Sequence, residues 1–344
     1  MLSADLLVFP DPLAQIIREQ IVRELKVPPQ AVVITATHTH SGSGAIAKGF
    51  LHQIVFGAYQ QAVVDGLIGR MVWAARQAVE RQELVQWGSG ERLFLQGLTE
   101  NRMVPSGSID PTLSLFLVES FQGKPVAVLV NCAAHPTLLD SKDMRFSADY
   151  PGELTRVIEA SYPGVVCLFE NGTAGDLRPR DSLGSTPEER IHRFGEALAE
   201  GAIGLINQMS LQSRGDLAAW GQQVALPRPE IYIGRIPLHP RIGRLMRPTS
   251  GYVNLFALDR TLFVPLPAEM TAELGQDLRR KLEAQGFRSF LLGYADSYLG
   301  YAVTPRQYES RSYEAWMTWY GSSFGAFLVE KIRQLSSLYP REQS

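Results

Sequence analysis

The spacing of apolar and polar positions predicts strands and helices that follow one another from the start of the chain. Residues 4–9 (ADLLVF) form an apolar run typical of a buried strand. Asp11 and Pro12 then suit the N-cap and the first position of a helix, in which Leu13 and Ile17 begin a series of apolar residues at helical spacing. The chain is therefore predicted to open with a strand and a helix.

The same alternation continues to the end of the chain. A β-branched run at 31–36 predicts a second strand, and a strand-helix-strand unit is typical of a parallel pair. Further strands are predicted at 113–121, 125–134, 164–170 and 289–294, with a hairpin at Asp259–Arg260, and further helices at 56–81, after Pro151, and at 186–208, 268–285 and 324–338. We predict an α/β fold of mixed β-sheets layered with helices, in a single domain over 1–344.

Composition excludes some classes of function. With 33 basic and 35 acidic residues the net charge is -2, so no nucleic-acid partner is expected. No apolar window is long enough for a transmembrane segment, and no signal peptide is evident, which predicts a cytoplasmic protein. Cys132 and Cys167 each lie inside an apolar run, which favours buried, reduced thiols over a disulfide.

One segment differs in composition from the rest. Residues 226–249 are rich in Arg and Pro and contain a single acid, Glu230. Two interpretations are open: a solvated excursion of the chain, or a lid that meets an anionic group.

Polar residues follow several apolar runs, where ligands of parallel α/β proteins usually bind. These residues are His38, His40, His135, Asn171, Asp176 and Glu269. If the stretch around His38 and His40 is strand-like, both imidazoles point to the same side and can reach one metal. The alternatives are that these are loop histidines held by backbone groups, and that Glu269 is an acid favoured by the dipole of a helix that it begins.

Taken in order, several motifs resemble those of the neutral/alkaline ceramidase catalytic domain, most closely in its compact bacterial members. They are THTHSGSG, NCAAHPT, SADYPGEL, NGTAGDLRP, PLPAEMT and the Tyr-rich stretch 293–321. The resemblance runs from about 4 to about 335. It implies hydrolysis of an amide bond in an N-acyl, lipid-like small molecule. It also implies that the C-terminal β-sandwich of longer family members is absent. At the other end, either an opening segment is missing or the start of the gene lies upstream; if an edge strand is absent there, its exposed neighbour would favour a homodimer.

The resemblance also implies a site. One zinc ion per chain would be bound by His38, His135, Glu269 and Tyr301, and would activate a water molecule for attack on the amide carbonyl. Catalytic roles would fall to His40, as a proton carrier, and to Arg102 and Tyr313, as donors to the developing oxyanion.

The chain departs from the family pattern at Arg178, where ceramidases have a serine that contacts the substrate. A pocket of different shape and polarity is therefore expected. Arg178, Asn171 and Asp176 are the predicted substrate-binding residues. The favoured function is a zinc-dependent amide hydrolase; the alternative is a non-catalytic metal-binding or ligand-binding protein on the same scaffold.

Overall fold

The computed structural model describes residues 1–139, 142–233, 236–237, 243 and 247–339. The helices are α1 (Leu13–Leu25), α2 (Phe50–Phe56), α3 (Gln61–Glu80), α4 (Asp149–Ser161), α5 (Pro187–Ile206), α6 (Ala272–Glu283), α7 (Pro305–Glu309), α8 (Tyr313–Trp316) and α9 (Phe324–Ser336). The strands are β1 (Leu2–Ala4), β2 (Ile34–Ala36), β3 (Val85–Leu93), β4 (Thr99–Asn101), β5 (Thr112–Ser120), β6 (Pro125–Cys132), β7 (Val166–Asn171), β8 (Leu177–Pro179), β9 (Leu217–Ala225), β10 (Tyr232–Ile233), β11 (Ile236–Pro237), β12 (Ser250–Leu258), β13 (Thr261–Pro265), β14 (Glu269–Met270), β15 (Arg288–Leu292) and β16 (Tyr301–Ala302).

Two four-stranded sheets form the centre of the molecule. The first has the order β3-β5-β6-β7 and the second β15-β13-β12-β9. Each is antiparallel except for one parallel pair, β6 with β7 in the first sheet and β13 with β15 in the second. The predicted fold class of mixed sheets layered with helices is therefore confirmed.

The two sheets pack face to face because apolar side chains point alternately to both faces of each sheet. Along β5, Leu115 and Leu117 face a core that includes side chains of α4 and α5, whereas Phe116 points the other way. Phe116 meets Phe263 of the second sheet with a centroid distance of 5.3 Å. Helices α6 and α9 cover the outer face of the second sheet. The result is four layers: helices, sheet, sheet, helices.

A third core, alongside the two sheets, supports the segment that contains His38 and His40. Strands β1 and β2 pair in parallel as predicted, and α1 and α3 pack against them. The buried ring of Tyr294, which follows β15, completes this core. The end of β2 is thereby held against the end of the second sheet.

Some predicted boundaries are wrong, and the first of them concerns the site. Strand β1 ends at Ala4, and most of the predicted strand 4–9 is not paired with β2. Instead, the carbonyl of Leu6 accepts a hydrogen bond from the backbone N–H of His38 (3.0 Å). Helix α1 has Pro12 at its N-cap, with no side-chain cap from Asp11.

Three other predictions were too long. The segment 31–36 starts in a 3-10 turn and only becomes β2 at Ile34. The helix predicted for 56–81 begins only at Gln61, as α3, because Phe56 ends a separate helix, α2, and the following Gly57 has a φ of 73°, in the left-handed region. The helix predicted for 268–285 begins at Ala272, so Glu269 is not in its first turn.

Other features were predicted well. The hairpins β5–β6 and β12–β13 and the helices α5 and α9 lie where the pattern placed them. Cys132 and Cys167 are buried free thiols. Much of the segment 226–249 lies outside the described residues, so the lid prediction cannot be followed there. Within the described part of the chain, no helix combines the length and the apolar character that crossing a membrane requires.

Candidate metal centre and active site

Three buried side chains converge beside the ends of β2 and β6. The Nε2 atoms of His38 and His135 lie 3.2 Å apart. Oε2 of Glu269 lies 3.5 Å from Nε2 of His38 and 3.2 Å from Nε2 of His135. The three residues are only 2%, 1% and 4% exposed, in the order His38, His135, Glu269. These residues are 97 and 134 positions apart along the chain, so only the fold brings them together.

The backbone around His38 differs from the strand-like H-x-H that was predicted. Strand β2 stops at Ala36, and His38 has a φ of 69°, in the left-handed region that non-glycine residues rarely adopt. Its Nδ1 lies 2.7 Å from the carbonyl oxygen of Leu7. The same departure from the ladder that shortens β1 therefore supplies the carbonyl that orients this imidazole.

The hydrogen bonds of the two imidazoles fix their tautomers. Nδ1 of His135 lies 2.7 Å from the carbonyl oxygen of Ala174, as Nδ1 of His38 does from Leu7. Since a carbonyl only accepts, each Nδ1 carries the proton and each Nε2 presents a lone pair. Oε2 of Glu269 has no hydrogen-bond partner among the described residues. Three lone-pair donors thus face one another, which is the arrangement that a cation requires.

Electrostatics keep these groups in their metal-binding forms. Burial, followed by the nearby Arg102, lowers the pKa of His135 to about 4. Burial raises the pKa of Glu269, whereas positive charge on the neighbouring His38 and His135 lowers it well below its ordinary value, so a cation held between these groups keeps the carboxylate ionised. A neutral imidazole and an ionised carboxylate are the forms in which these side chains bind zinc.

Tyr301 lies beside Glu269 because β14 and β16 pair in parallel, with these two residues in register. Its hydroxyl accepts a hydrogen bond of 2.9 Å from Nη2 of Arg102. Burial and the Glu269 carboxylate hold the pKa of Tyr301 well above its ordinary value, so it stays a phenol. The Arg102 guanidinium is held in turn by Glu314, with Nε 3.1 Å from Oε1.

His40 lies at the opening of the cluster. One nitrogen of each of His38, His40 and His135 lies within 4.8 Å of the others, and His40 is the exposed member. Desolvation by the surrounding site lowers the pKa of His40, and positive charge on His38 and His135, when those rings are protonated, lowers it further, to about 3. A neutral His40 can accept a proton or serve as a further ligand.

Two tyrosines of the site were missed by the sequence analysis. Tyr298 donates a 2.5 Å hydrogen bond to Oε1 of Glu269. The ring of Tyr294 stacks on His38, with a centroid distance of 3.7 Å and an interplanar angle of 9°. Both lie in the Tyr-rich stretch, where Tyr294, Tyr298 and Tyr301 follow one another at intervals of four and three residues, and this spacing was the available signal.

The remaining predicted residues lie around this centre. Tyr313 is 59% exposed and its ring meets that of Tyr301 edge-on at 5.9 Å, so it stands at the entrance. Arg178 is paired with Glu100 (2.7 Å) and lies 3.5 Å from Asp181. The charge of Arg178 is therefore already balanced within the protein.

Asn171 and Asp176 are completely buried. The side chain of Asn171 donates to the carbonyl of Ala134 (3.0 Å), next to His135. Asp176 accepts from the N–H of Ala272 (2.8 Å) and from the Asn101 side chain (2.8 Å). Both hold loops of the site in place; a contact of either with a substrate stays a prediction.

No family model matches the chain. Among curated proteins it is 23% identical to the neutral ceramidase of Pseudomonas aeruginosa, a match that covers 91% of this chain and 60% of that protein. It is 22% identical to the neutral ceramidase of Mycobacterium tuberculosis, over 89% of this chain and 63% of that protein. The chain thus spans about three fifths of the length of these curated relatives.

Solved structures share the fold across nearly the whole chain. A structure described as ceramidase complexed with C2 superposes with a TM-score of 0.84 at 18% identity, covering 99% of this chain and 68% of that one. The neutral ceramidase from Pseudomonas aeruginosa gives a TM-score of 0.82 at 20% identity, covering 99% and 67%. The chain therefore has the fold of these ceramidase structures over almost its whole length.

Proposed function

We propose that this protein is a zinc-dependent hydrolase that cleaves the amide bond of an N-acyl compound. Its similarity to proteins named neutral ceramidase supports the reaction type. The observation that carries the proposal is the convergence of two Nδ1-protonated imidazoles and a carboxylate oxygen that lacks a hydrogen-bond partner. The single domain, the homodimer and the cytoplasmic location remain predictions.

The donor set fits a catalytic zinc site better than a closed structural one. His38, His135 and Glu269 would hold the ion, and Tyr301, as a neutral phenol, would be a weaker fourth ligand. When bound, zinc supplies a nucleophilic water near neutral pH and polarises a carbonyl. The two backbone carbonyls behind the imidazoles would hold both rings rigidly in ligand geometry.

The other residues would handle the proton and the charge of the reaction. His40, neutral and open to the entrance, would take a proton on a ring nitrogen and return it to the leaving amine. Arg102 and the hydroxyl of Tyr313 would donate to the carbonyl oxygen as it becomes negative. Glu314, which lies 3.1 Å from Nε of Arg102, would keep that guanidinium pointed at the site.

Metal content tests the site directly. We expect about one zinc per chain in the wild type, by elemental analysis after zinc is offered, and almost none in His38→Ala or His135→Ala. Since the ligands are also the catalytic centre, hydrolysis of N-acyl amides should disappear with the metal.

His192→Ala is the matched control. His192 is an exposed histidine near Glu153 (2.7 Å) and Glu196 (3.3 Å), a second group of side chains that could hold an ion, so this variant separates zinc bound there from zinc at the proposed site. Its zinc content should equal that of the wild type. Full zinc in the His38→Ala, His135→Ala double variant would disprove the proposed ligands. Stoichiometric zinc in a protein that cleaves no N-acyl amide or ester would instead support the non-catalytic alternative.

A further inference from the structure

Arg247 is a cation without a counter-ion in the described part of the protein. Its guanidinium lies over the ring of Trp319, 3.2 Å from the ring centroid. Its Nε is buried and has no hydrogen-bond acceptor. Among the described residues, no carboxylate lies within 4.0 Å of it. Residues 234–246, which precede it along the chain, contain no Asp or Glu at all.

Such an arrangement is costly unless a partner arrives. Arg247 is partly buried, and a guanidinium nitrogen removed from water normally has a hydrogen-bond or ion-pair partner, because desolvation without compensation is unfavourable. Desolvation lowers the pKa of Arg247. The cation–π contact with Trp319 offsets part of the cost, and none of the described residues forms an ion pair with the guanidinium, which stays able to form a bidentate contact.

Arg247 is also close to the candidate metal centre. The ring of Trp319 meets the ring of Tyr298 edge-on, with a centroid distance of 5.4 Å. The hydroxyl of Tyr298 donates to Glu269. Two aromatic side chains thus separate Arg247 from a carboxylate of the proposed metal site. The hydroxyl of Tyr320 donates to the carbonyl of Pro248 (2.9 Å) and fixes the backbone next to Arg247.

The other arginines near the site have partners. Arg102 faces Glu314 and Tyr301, and Arg178 faces Glu100 and Asp181. Arg178 was predicted from the sequence to bind the substrate, but its charge is balanced. Arg247 is therefore the better-placed cation for an anionic ligand.

We propose that Arg247 binds an anionic group of the substrate, so that the preferred substrates are N-acyl amides whose amine part carries a carboxylate or a phosphonate, such as N-acyl amino acids. This inference rests on the proposed amide hydrolysis and gives it a substrate class. A guanidinium suits planar carboxylates and tetrahedral phosphonates alike, since both accept its paired N–H donors.

The test compares amides that differ in charge and little else. N-octanoylglycine is the anionic substrate and N-octanoylglycinamide its neutral counterpart; N-octanoylaminomethylphosphonate is the second anion. We expect zinc-loaded wild-type protein to cleave an anionic amide with a kcat/KM about tenfold or more above that of the neutral one. The better of the two anions identifies the natural headgroup chemistry.

The variant Arg247→Met keeps an extended apolar stem on Trp319 and removes the charge. Its kcat/KM for the anionic amide should fall about 10–100-fold, mostly through KM, while the value for the neutral amide changes less than about threefold. Arg247→Lys, which keeps a charge but loses the planar fork, should retain part of the preference. Zinc content should stay unchanged in both.

Arg260→Met is the matched control. Arg260 lies at the turn between β12 and β13 with its guanidinium 5.3 Å from the ring of Phe287, at the other end of β13 from the site. Its removal should leave the preference intact. A wild type that cleaves both amides equally, or an Arg247→Met variant that loses both activities together, would overturn the assignment of Arg247.

A wild type that cleaves none of these amides would refute the proposed function rather than decide about Arg247. Isothermal titration calorimetry then measures the affinity for N-octanoylglycine and tests Arg247 without requiring catalysis. Binding that weakens about tenfold or more in both Arg247→Met and Arg247→Gln, but stays unchanged in Arg260→Met, would support the anion site. Equal binding, or none by the wild type, would refute it.

Discussion

At the residue scale, the candidate metal centre depends on groups that are not themselves ligands. Two backbone carbonyls fix which nitrogen of His38 and of His135 carries the proton. The stacked ring of Tyr294 fixes the plane of His38, and Tyr298 occupies one oxygen of Glu269. The ligand atoms are therefore oriented before any ion arrives, which reduces the ordering cost of binding.

Removing the Tyr298 hydroxyl should weaken zinc binding without removing a ligand. In Tyr298→Phe the Oε1 atom of Glu269 loses its donor, and the carboxylate becomes free to rotate. We expect zinc affinity to fall about tenfold, as is typical when a hydrogen-bond partner of a ligand is lost. Competition with a chromogenic chelator measures the change.

Tyr162→Phe provides the comparison, because the hydroxyl of Tyr162 donates a hydrogen bond to the Asn207 side chain (3.3 Å), which is not part of the metal centre. It should bind zinc as the wild type does. If Tyr298→Phe also binds zinc with unchanged affinity, the orientation of Glu269 does not depend on this hydrogen bond.

Local sequence patterns predicted only part of the site, and individual residues show why. The resemblance proposed His38, His135, Glu269 and Tyr301, and the fold brings them together. Residue patterns alone had placed Glu269 in the first turn of a helix and suggested a strand-like backbone at His38. Neither placement held, because both residues lie in short segments whose partners are distant in sequence: β14 pairs with β16, and His38 bonds to the segment after β1. Such long-range pairing leaves no local periodicity.

At the element scale, α6 holds the loop that orients His135. Gly275 of α6 packs directly on Thr173, where a Cβ built on the glycine would lie 1.9 Å from Oγ1 and 2.6 Å from Cβ of Thr173. The carbonyl of the next residue, Ala174, is the one that accepts from His135. The close packing of α6 on Thr173 therefore fixes the position of the Ala174 carbonyl.

The variant Gly275→Ala should therefore affect both stability and metal binding. The added methyl group has no space, and we expect a loss of about 1–3 kcal/mol in the free energy of unfolding. The displaced loop should also lower zinc affinity. Denaturant melts of the metal-free protein and chelator competition measure the two effects separately.

Gly69→Ala serves as the control, since Gly69 lies inside α3 with no atom within 4 Å of a built Cβ. Gly69→Ala should raise the free energy of unfolding by up to about 1 kcal/mol, because alanine has a higher helix propensity than glycine. A Gly275→Ala protein as stable as this control would show that α6 and the loop can separate at little cost.

The elements themselves show what a sequence can and cannot predict. Helices α5 and α9 and the β5–β6 hairpin were predicted close to their bounds, because each carries several turns of apolar periodicity or a turn signal of its own. Strands β3 and β9 were missed: their inner faces are interrupted by Gly88, Gly90 and Gly221, and alternation is lost there. The two-residue strands are too short to carry any pattern.

At the scale of the whole molecule, the third core is joined to the first sheet through a buried acid. Glu170, near the end of β7, is fully buried and accepts a 2.9 Å hydrogen bond from the hydroxyl of Thr35 on β2. Its other oxygen has no partner among the described residues. Burial raises the pKa of Glu170 from 4.5 to about 8, so the folded protein holds it as the neutral acid at pH 7.

This acid should make the stability of the whole fold fall as pH rises. Between the ordinary pKa of 4.5 and the folded value of about 8, the unfolded chain has released the proton and the folded chain has not. The free energy of unfolding should therefore decrease by up to about 1.4 kcal/mol per pH unit across this window, and Glu170 should cause no pH dependence below it.

In Glu170→Gln the amide cannot titrate, and this contribution vanishes. Denaturant melts at pH 5 and pH 8 should show a smaller loss of stability in the variant than in the wild type. Because all other groups titrate in both proteins, the difference between them isolates Glu170, and parallel pH profiles would mean that it is already ionised in the fold.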